Sequence, residues 1–230
     1  NIFIGNDSGI KSEGSNNICL GKGSGIHDKG SYNLNLGNFC ASGNEYDGEV
    51  LNFNTGGNIN LGHMAGRKGN NTLRNINIGI GSGEYITNNE NISIGYETGR
   101  YSKGDNNTII GNNSGYNLIG SKNVIMGEDS LKGSSGTTNI SNNLVMGNNA
   151  GKFVLSSNNV ILGCEAGQID TSKKISNDNI LIGYQSGKLM GISSSSLQDA
   201  PRNNIFIGKL SGNNSQGSDN IYLGVNSGTL

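Results

Sequence analysis

The chain has no tryptophan, one proline and few charged residues, and these shortages exclude several classes of protein. Of its 230 residues, 32% are hydrophobic, 14% are charged and 6% are aromatic, whereas an ordinary globular domain is nearer half apolar. With one proline and no glycine at every third residue, the sequence excludes collagen. The net charge of −1 argues against a nucleic-acid surface. No apolar run approaches the ~18 residues of a membrane-spanning helix.

Cysteine and histidine are too few and too scattered to indicate a site. Cys19, Cys40 and Cys164 are an odd number at wide spacing, which gives neither a disulfide framework nor a zinc motif. His27 and His63 lie two repeats apart without neighbouring ligands. We therefore expect no metal and no cofactor.

Two residue types are abundant instead. The sequence contains 39 glycines and 40 asparagines, which make up 79 of its 230 residues. So few apolar residues cannot form one thick core, yet the low net charge is not typical of a disordered chain. A thin core repeated along the chain is the architecture that this composition favours.

One nine-residue phrase occurs thirteen times: asparagine, apolar, any residue, apolar, glycine, two of any kind, small, glycine. Asparagine is first and glycine fifth in every copy, and no charge occurs in the first five positions. Most copies start 16 residues after the previous one. The copies begin at residues 1, 17, 33, 58, 75, 91, 107, 123, 143, 159, 179, 204 and 220.

The phrase predicts a short strand followed by a tight turn. Apolar residues two apart belong on one face of a strand, so we expect the second and fourth positions to point inward and the third outward. The fifth-position glycine permits a turn with positive φ. In stacked coils the asparagines would form a ladder, each bonded to the next. The sequence therefore predicts an all-β fold, a parallel β-solenoid of thirteen coils with a 16-residue unit.

The longer repeats gain residues only between the ninth position and the next asparagine. We expect one solenoid domain over 1–230, as a segment of a longer fibre, with surface loops at 42–57, 132–142, 168–178 and 188–203. Binding faces of repeat proteins commonly lie on such insertions. Neutral variation of surface loops is the alternative interpretation. The candidate receptor contacts in the first loop are Tyr46, Asp47, Glu49 and Phe53.

The phrase Asn1-Ile2-Phe3-Ile4-Gly5-Asn6-Asp7-Ser8-Gly9 resembles the head repeats of YadA-like trimeric autotransporter adhesins and the related repeats of phage and large-virus tail fibres. The resemblance covers nearly the whole chain. It implies a left-handed parallel β-roll, three chains side by side and a role in attachment outside the cell, on a virion or a cell surface. The third position is usually alanine in that family and is larger here.

The third position changes character along the chain. It is polar in the four copies from Asn35 to Ser93 and apolar or aromatic in the last seven. With the third position outward, these seven side chains would form a continuous apolar stripe, which soluble proteins avoid. We therefore predict a subunit interface, most simply the axis of a parallel homotrimer, formed by Ile109, Ile125, Val145, Ile161, Leu181, Phe206 and Tyr222.

Taken together, these features favour a structural and adhesive fibre shaft without enzymatic activity, attached to a host surface glycan or protein. An extracellular filament of copies stacked end to end is one alternative. A polysaccharide depolymerase is another, since glycosidases need two facing carboxylates. The candidate pairs are Asp47 with Glu49 and Glu128 with Asp129, for which solvated turn charges are the plainer interpretation.

Overall fold

Thirteen three-residue strands and no helix occur in the residues that the computed structural model describes, namely 1–43, 55–70, 72–133, 139–154, 156–172, 175–192 and 200–229. Each strand consists of the second to fourth residues of one phrase. The strands are β1 (Ile2–Ile4), β2 (Ile18–Leu20), β3 (Leu34–Leu36), β4 (Ile59–Leu61), β5 (Ile76–Ile78), β6 (Ile92–Ile94), β7 (Thr108–Ile110), β8 (Val124–Met126), β9 (Leu144–Met146), β10 (Val160–Leu162), β11 (Ile180–Ile182), β12 (Ile205–Ile207) and β13 (Ile221–Leu223).

The chain forms two compact units, Asn1–Asn113 and Ser114–Leu230. In the first unit β1 to β7 pair in chain order and in parallel, and in the second β8 to β13 do the same. Equivalent positions of successive phrases are partners, for example Ile76 with Ile92. The predicted parallel β-solenoid with a 16-residue unit is confirmed.

The fifth-position glycine ends each strand because no other residue fits there. Its φ lies between 113° and 140° in all thirteen copies, a region that side chains rarely adopt. A Cβ atom added at Gly79 would also lie 2.2 Å from the carbonyl oxygen of Gly95 in the next coil. Both the turn and the close stacking of coils therefore depend on this glycine column.

The abundance of asparagine has a backbone explanation. Left-handed φ values recur at the seventh position, as at Asn113 and Asn149 (both 53°), and just before the phrase, as at Asn106 (61°) and Asn158 (60°). Asparagine is one of the few non-glycine residues that adopt this conformation at low cost. These points of the coil therefore favour asparagine or glycine, although other residues such as Met64 and Glu97 also adopt positive φ there.

A narrow part of the interior of each coil lies between the third, eighth and ninth positions. The small eighth residue is buried, and its hydroxyl often donates to the carbonyl of the third residue one coil on, as from Ser82 to Ser93 (2.7 Å). The ninth-position glycine faces the third side chain: a Cβ added at Gly212 would lie 2.2 Å from the Phe206 ring. The third-position column therefore fills this part of the interior, and apolar connector residues such as Leu118, Ile140 and Met190 are buried as well.

Candidate interaction surfaces

The third-position side chains lie inside the coils, so the subunit interface predicted from them is wrong. Ile109, Ile125, Val145, Ile161, Leu181 and Phe206 are at most 1% exposed in the single chain. Tyr222, in the last coil, is half-buried and stacks on Phe206 with ring centroids 4.8 Å apart. Their own coils enclose these side chains, because the ninth-position glycine leaves room for one large residue opposite it.

The prediction that the second and fourth positions point inward is wrong for the same reason. Strand alternation places both on the outer face of the sheet when the third residue faces the interior. In the single chain Val124 is 40% exposed, Met146 39% and Ile207 39%. Ile94, which we had expected to be buried, is half-buried.

These positions form two aliphatic columns, which we call the outer sheet face. The fourth residue is isoleucine, leucine or methionine in every phrase, and the second is aliphatic except at Thr108. Neither column contains a charge. The outer sheet face is therefore a two-residue-wide apolar surface along each unit.

The first-position asparagines form the predicted ladder, which is confirmed within each unit. The Oδ1 of each asparagine accepts a hydrogen bond from the backbone N–H of the next, as from Asn33 to Asn17 (2.8 Å) and from Asn159 to Asn143 (2.8 Å). The Nδ2 usually donates to a carbonyl of the connector, as from Asn17 to Gly30 (2.7 Å). Each asparagine thus fixes the register of two successive coils.

A second ladder, which we did not predict from the sequence, lies two residues before the phrase. Here the backbone N–H of one coil donates to a side chain of the next, as from Leu73 to Asn89 (2.8 Å) and from Ser141 to Ser157 (2.9 Å). The signal available in the sequence was the frequent serine, asparagine or aspartate at this position. Both ladders precede the strand and satisfy backbone amides at the corner that leads into it.

An ionic and aromatic cluster occupies the connector side of the first unit. Glu84 is buried, with Arg100 Nε 2.8 Å and Arg67 Nη1 3.8 Å from its carboxylate oxygens. The rings of Tyr85 and Tyr101 stack 4.7 Å apart, and Lys68 Nζ lies 3.0 Å from the Tyr85 hydroxyl. These ion pairs, the hydrogen bond and the ring contact join the connectors of three successive coils.

The second unit has simpler ion pairs on its connectors. Asp129 accepts from Lys132 (3.1 Å) and Lys152 (2.9 Å). Glu128, the other half of one proposed carboxylate pair, accepts from Asn148 Nδ2 (3.0 Å). Lysine contacts hold Asp129 in a salt-bridge network, the usual arrangement of turn charges.

One carboxylate is buried in the polar interior of the first unit. Asp28 is 2% exposed. Its Oδ1 accepts from the Thr55 hydroxyl (2.5 Å) and the Gly30 N–H (2.9 Å), and its Oδ2 accepts from Asn33 Nδ2 (3.1 Å). Burial raises the pKa of Asp28 to about 6, and the hydrogen bonds from Thr55 and Gly30 oppose that rise.

The cysteines are free thiols. Cys19 and Cys40 are buried and Cys164 is exposed. Burial raises the pKa of the Cys19 and Cys40 thiols, so both behave as small interior residues. Within the described ranges, no group of three or more histidine, cysteine, aspartate or glutamate side chains is arranged to hold a metal ion.

The predicted receptor contacts Tyr46, Asp47, Glu49 and Phe53 lie outside the described residues. The same is true of the middle of the loops at 132–142, 168–178 and 188–203. In the part of the chain that is described, no helix is long and apolar enough to cross a membrane. No family model, no curated protein and no solved structure matches the chain.

Proposed function

We propose that the chain is the shaft of a homotrimeric attachment fibre in which three parallel copies pack through their outer sheet faces. The observation that supports this most strongly is the outer sheet face itself, with its two uncharged aliphatic columns half-exposed in the single chain. Parallel sheets are normally covered on both faces, and a contiguous exposed apolar surface marks an interaction site.

A second copy of the chain suits this face better than an unrelated partner. Every coil presents the same two positions at the same spacing, so parallel copies in a cyclic assembly bring each column against its own equivalents. Contacts of isoleucine, leucine and methionine then form a continuous seam without buried charge. The number three, the left-handed coil and the location on a virion or cell surface come from the resemblance to YadA-like head repeats.

The mechanism we propose is mechanical rather than catalytic. Backbone hydrogen bonds and two side-chain ladders join successive coils, and such a shaft holds its connectors away from the surface that carries it. In this proposal the 42–57 connector contacts a host glycan or protein through Tyr46, Asp47, Glu49 and Phe53. Binding of labelled protein to host cells, compared between wild type and Tyr46→Ala with Phe53→Ala, tests this part; equal binding would contradict it.

The oligomeric proposal is tested by sedimentation equilibrium. We expect the wild type at three times 24.0 kDa, or 72.0 kDa. Val124→Lys with Met146→Lys adds two charges to the outer sheet face on adjacent strands, and we expect monomers that keep the β-sheet circular dichroism of the wild type.

A matched control adds the same charges elsewhere in the second unit. Thr171 and Ser172 are exposed connector residues, so Thr171→Lys with Ser172→Lys should leave the trimer intact. A monomeric wild type, or outer-face lysines that leave the mass unchanged, would overturn the proposal.

A further inference from the structure

One rung of the asparagine ladder differs from the others. Asn17, Asn58 and Asn75 each direct Nδ2 to a connector carbonyl. The Nδ2 of Asn33 instead donates to Thr55 Oγ1 (3.1 Å) and to Asp28 Oδ2 (3.1 Å). A side-chain amide, a hydroxyl and a buried carboxylate therefore meet at one point of the first unit.

The hydroxyl in this group is placed next to a base. Thr55 Oγ1 donates to Asp28 Oδ1 at 2.5 Å, and a carboxylate within hydrogen-bond reach is the arrangement that activates a hydroxyl nucleophile. Asn33 and Asp28 are 3% and 2% exposed. Water, the competing nucleophile, is thus largely excluded from the amide.

The amide carbonyl is polarised by two donors. Asn33 Oδ1 accepts from the backbone N–H of Asn58 (3.0 Å) and from Asn58 Nδ2 (3.2 Å). Paired N–H groups on a carbonyl oxygen stabilise the negative charge that develops there when a nucleophile adds to the carbon. The next rung of the ladder is therefore placed where an oxyanion hole would be needed.

From these contacts we propose that Thr55 and Asn33 form an intramolecular ester bond with release of ammonia. Asp28 Oδ1 takes the hydroxyl proton as Thr55 Oγ1 bonds to Asn33 Cγ, and the negative charge moves to Asn33 Oδ1. When this intermediate collapses, the Cγ–Nδ2 bond breaks and the Asp28 carboxyl returns the proton to the departing nitrogen. One hydroxyl and one amide become one ester and one ammonia, and no oxidant or other reactant is needed.

Attack requires one local movement. The hydrogen bond from Nδ2 holds Thr55 Oγ1 near the amide plane, whereas a nucleophile must approach Cγ from the face. Rotation about the Thr55 Cα–Cβ bond would supply this approach and leave the contacts of Asn58 with Asn33 Oδ1 in place. The pKa of Asp28, raised by burial to about 6, suits a group that first accepts and then donates a proton near neutral pH.

The product is compatible with the fold around it. The ester keeps the carbonyl oxygen of Asn33, which Asn58 contacts. The nitrogen that leaves, Asn33 Nδ2, donates to the side chains of Asp28 and Thr55 and not to a connector carbonyl. The link would close the chain between residues 33 and 55, across the first long connector, and so restrict the unfolded chain as other covalent cross-links do.

Intact mass spectrometry of the full chain tests the proposal. We expect the folded wild type to be about 17 Da lighter than its sequence, the mass of the ammonia lost, with residues 33 and 55 joined in one branched peptide. Thr55→Val and Asp28→Asn should each have their full sequence mass. Hydroxylamine, which cleaves esters, should separate the branched peptide.

Thr72 lies three residues before the ladder residue Asn75, just as Thr55 lies three residues before the ladder residue Asn58. Thr72 therefore supplies the matched control. Thr72→Val should keep the mass deficit of the wild type. A wild type at full sequence mass would overturn the ester. So would a deficit that persists in Thr55→Val, because an asparagine succinimide also loses ammonia and does not need the hydroxyl.

Discussion

The interiors of the two units use one backbone repeat but different side chains. In the first unit the third-position column runs through Cys19, Asn35, Asn60, Asn77 and Ser93 and ends at the apolar Ile109, all buried. In the second it runs through Ile125, Val145, Ile161, Leu181 and Phe206, also buried. The same coil therefore encloses either a polar or an apolar column.

The difference shows which parts of the repeat carry the fold. Hydrogen bonds within the polar column pair most of its amide groups: Asn77 Nδ2 donates to Asn60 Oδ1 (2.8 Å) and Asn60 Nδ2 to Asn35 Oδ1 (2.9 Å), while Asn77 Oδ1, at the end of this run, is buried without a partner among the described residues. Pairing of this kind offsets the free-energy cost of burying an amide. The first-position asparagines and the fifth-position glycines are common to both units, so they define the coil, while the third position only fills it.

The largest effect should come from a charge in the apolar column. Ile161→Asp places a carboxylate beside Val145 and Leu181, its strand partners, with no donor to pair with it. We expect a loss of about 4 kcal/mol or more in the free energy of unfolding, measured by urea denaturation. Lys122→Asp, an exposed change in the same unit, should cost less than about 0.5 kcal/mol. Equal costs would mean that the third position is not interior.

A second test uses pH to distinguish the units, because the buried carboxylates among the described residues, Asp28 and Glu84, both lie in the first. The pKa of Asp28 is about 6 in the folded chain and 3.8 when unperturbed. Its contribution to stability is complete below about pH 4 and is lost as pH rises through about 6, because folding then buries a charge. The loss should be on the order of 3 kcal/mol.

Hydrogen exchange near pH 4.5 and near pH 7.5 (on either side of the folded-state pKa of Asp28) should show weaker protection of the first unit at the higher pH. Asp28→Asn removes the titrating group and should flatten this dependence. If wild type and Asp28→Asn keep parallel profiles, Asp28 is not the cause.

The smallest of the three effects should come from interrupting the polar column. Asn60→Leu keeps the approximate shape but leaves Asn35 Oδ1 and Asn77 Nδ2 without their partner. Unpaired buried groups cost about 1 kcal/mol or more each, so we expect a loss of about 2 kcal/mol in urea denaturation. Asn35→Val with Asn60→Val and Asn77→Val removes both sides of each bond and should recover part of that loss. A triple variant less stable than the single one would contradict this account.

The position and pairing of the strands could be predicted from the sequence because they depend on local patterns. Each strand begins at the second residue of a phrase, and the asparagine ladder and glycine turns occur where the phrase places them. The candidate surface could not be predicted so directly. Alternation divides a strand such as Ile92–Ile94 into two faces but does not say which face is inside.

The sequence by itself determined the repeat, the parallel stacking and the residues that every coil must have, because backbone conformation at Gly79 or Asn149 is a local property. Only the tertiary structure decided that Ile161 is interior and Ile94 lies on the outer sheet face. The physical reason is the space beside the strand: glycine at the ninth position and a small residue at the eighth leave room there for one side chain in each coil. The single third-position residue fits there, and the two flanking aliphatic residues must face outward.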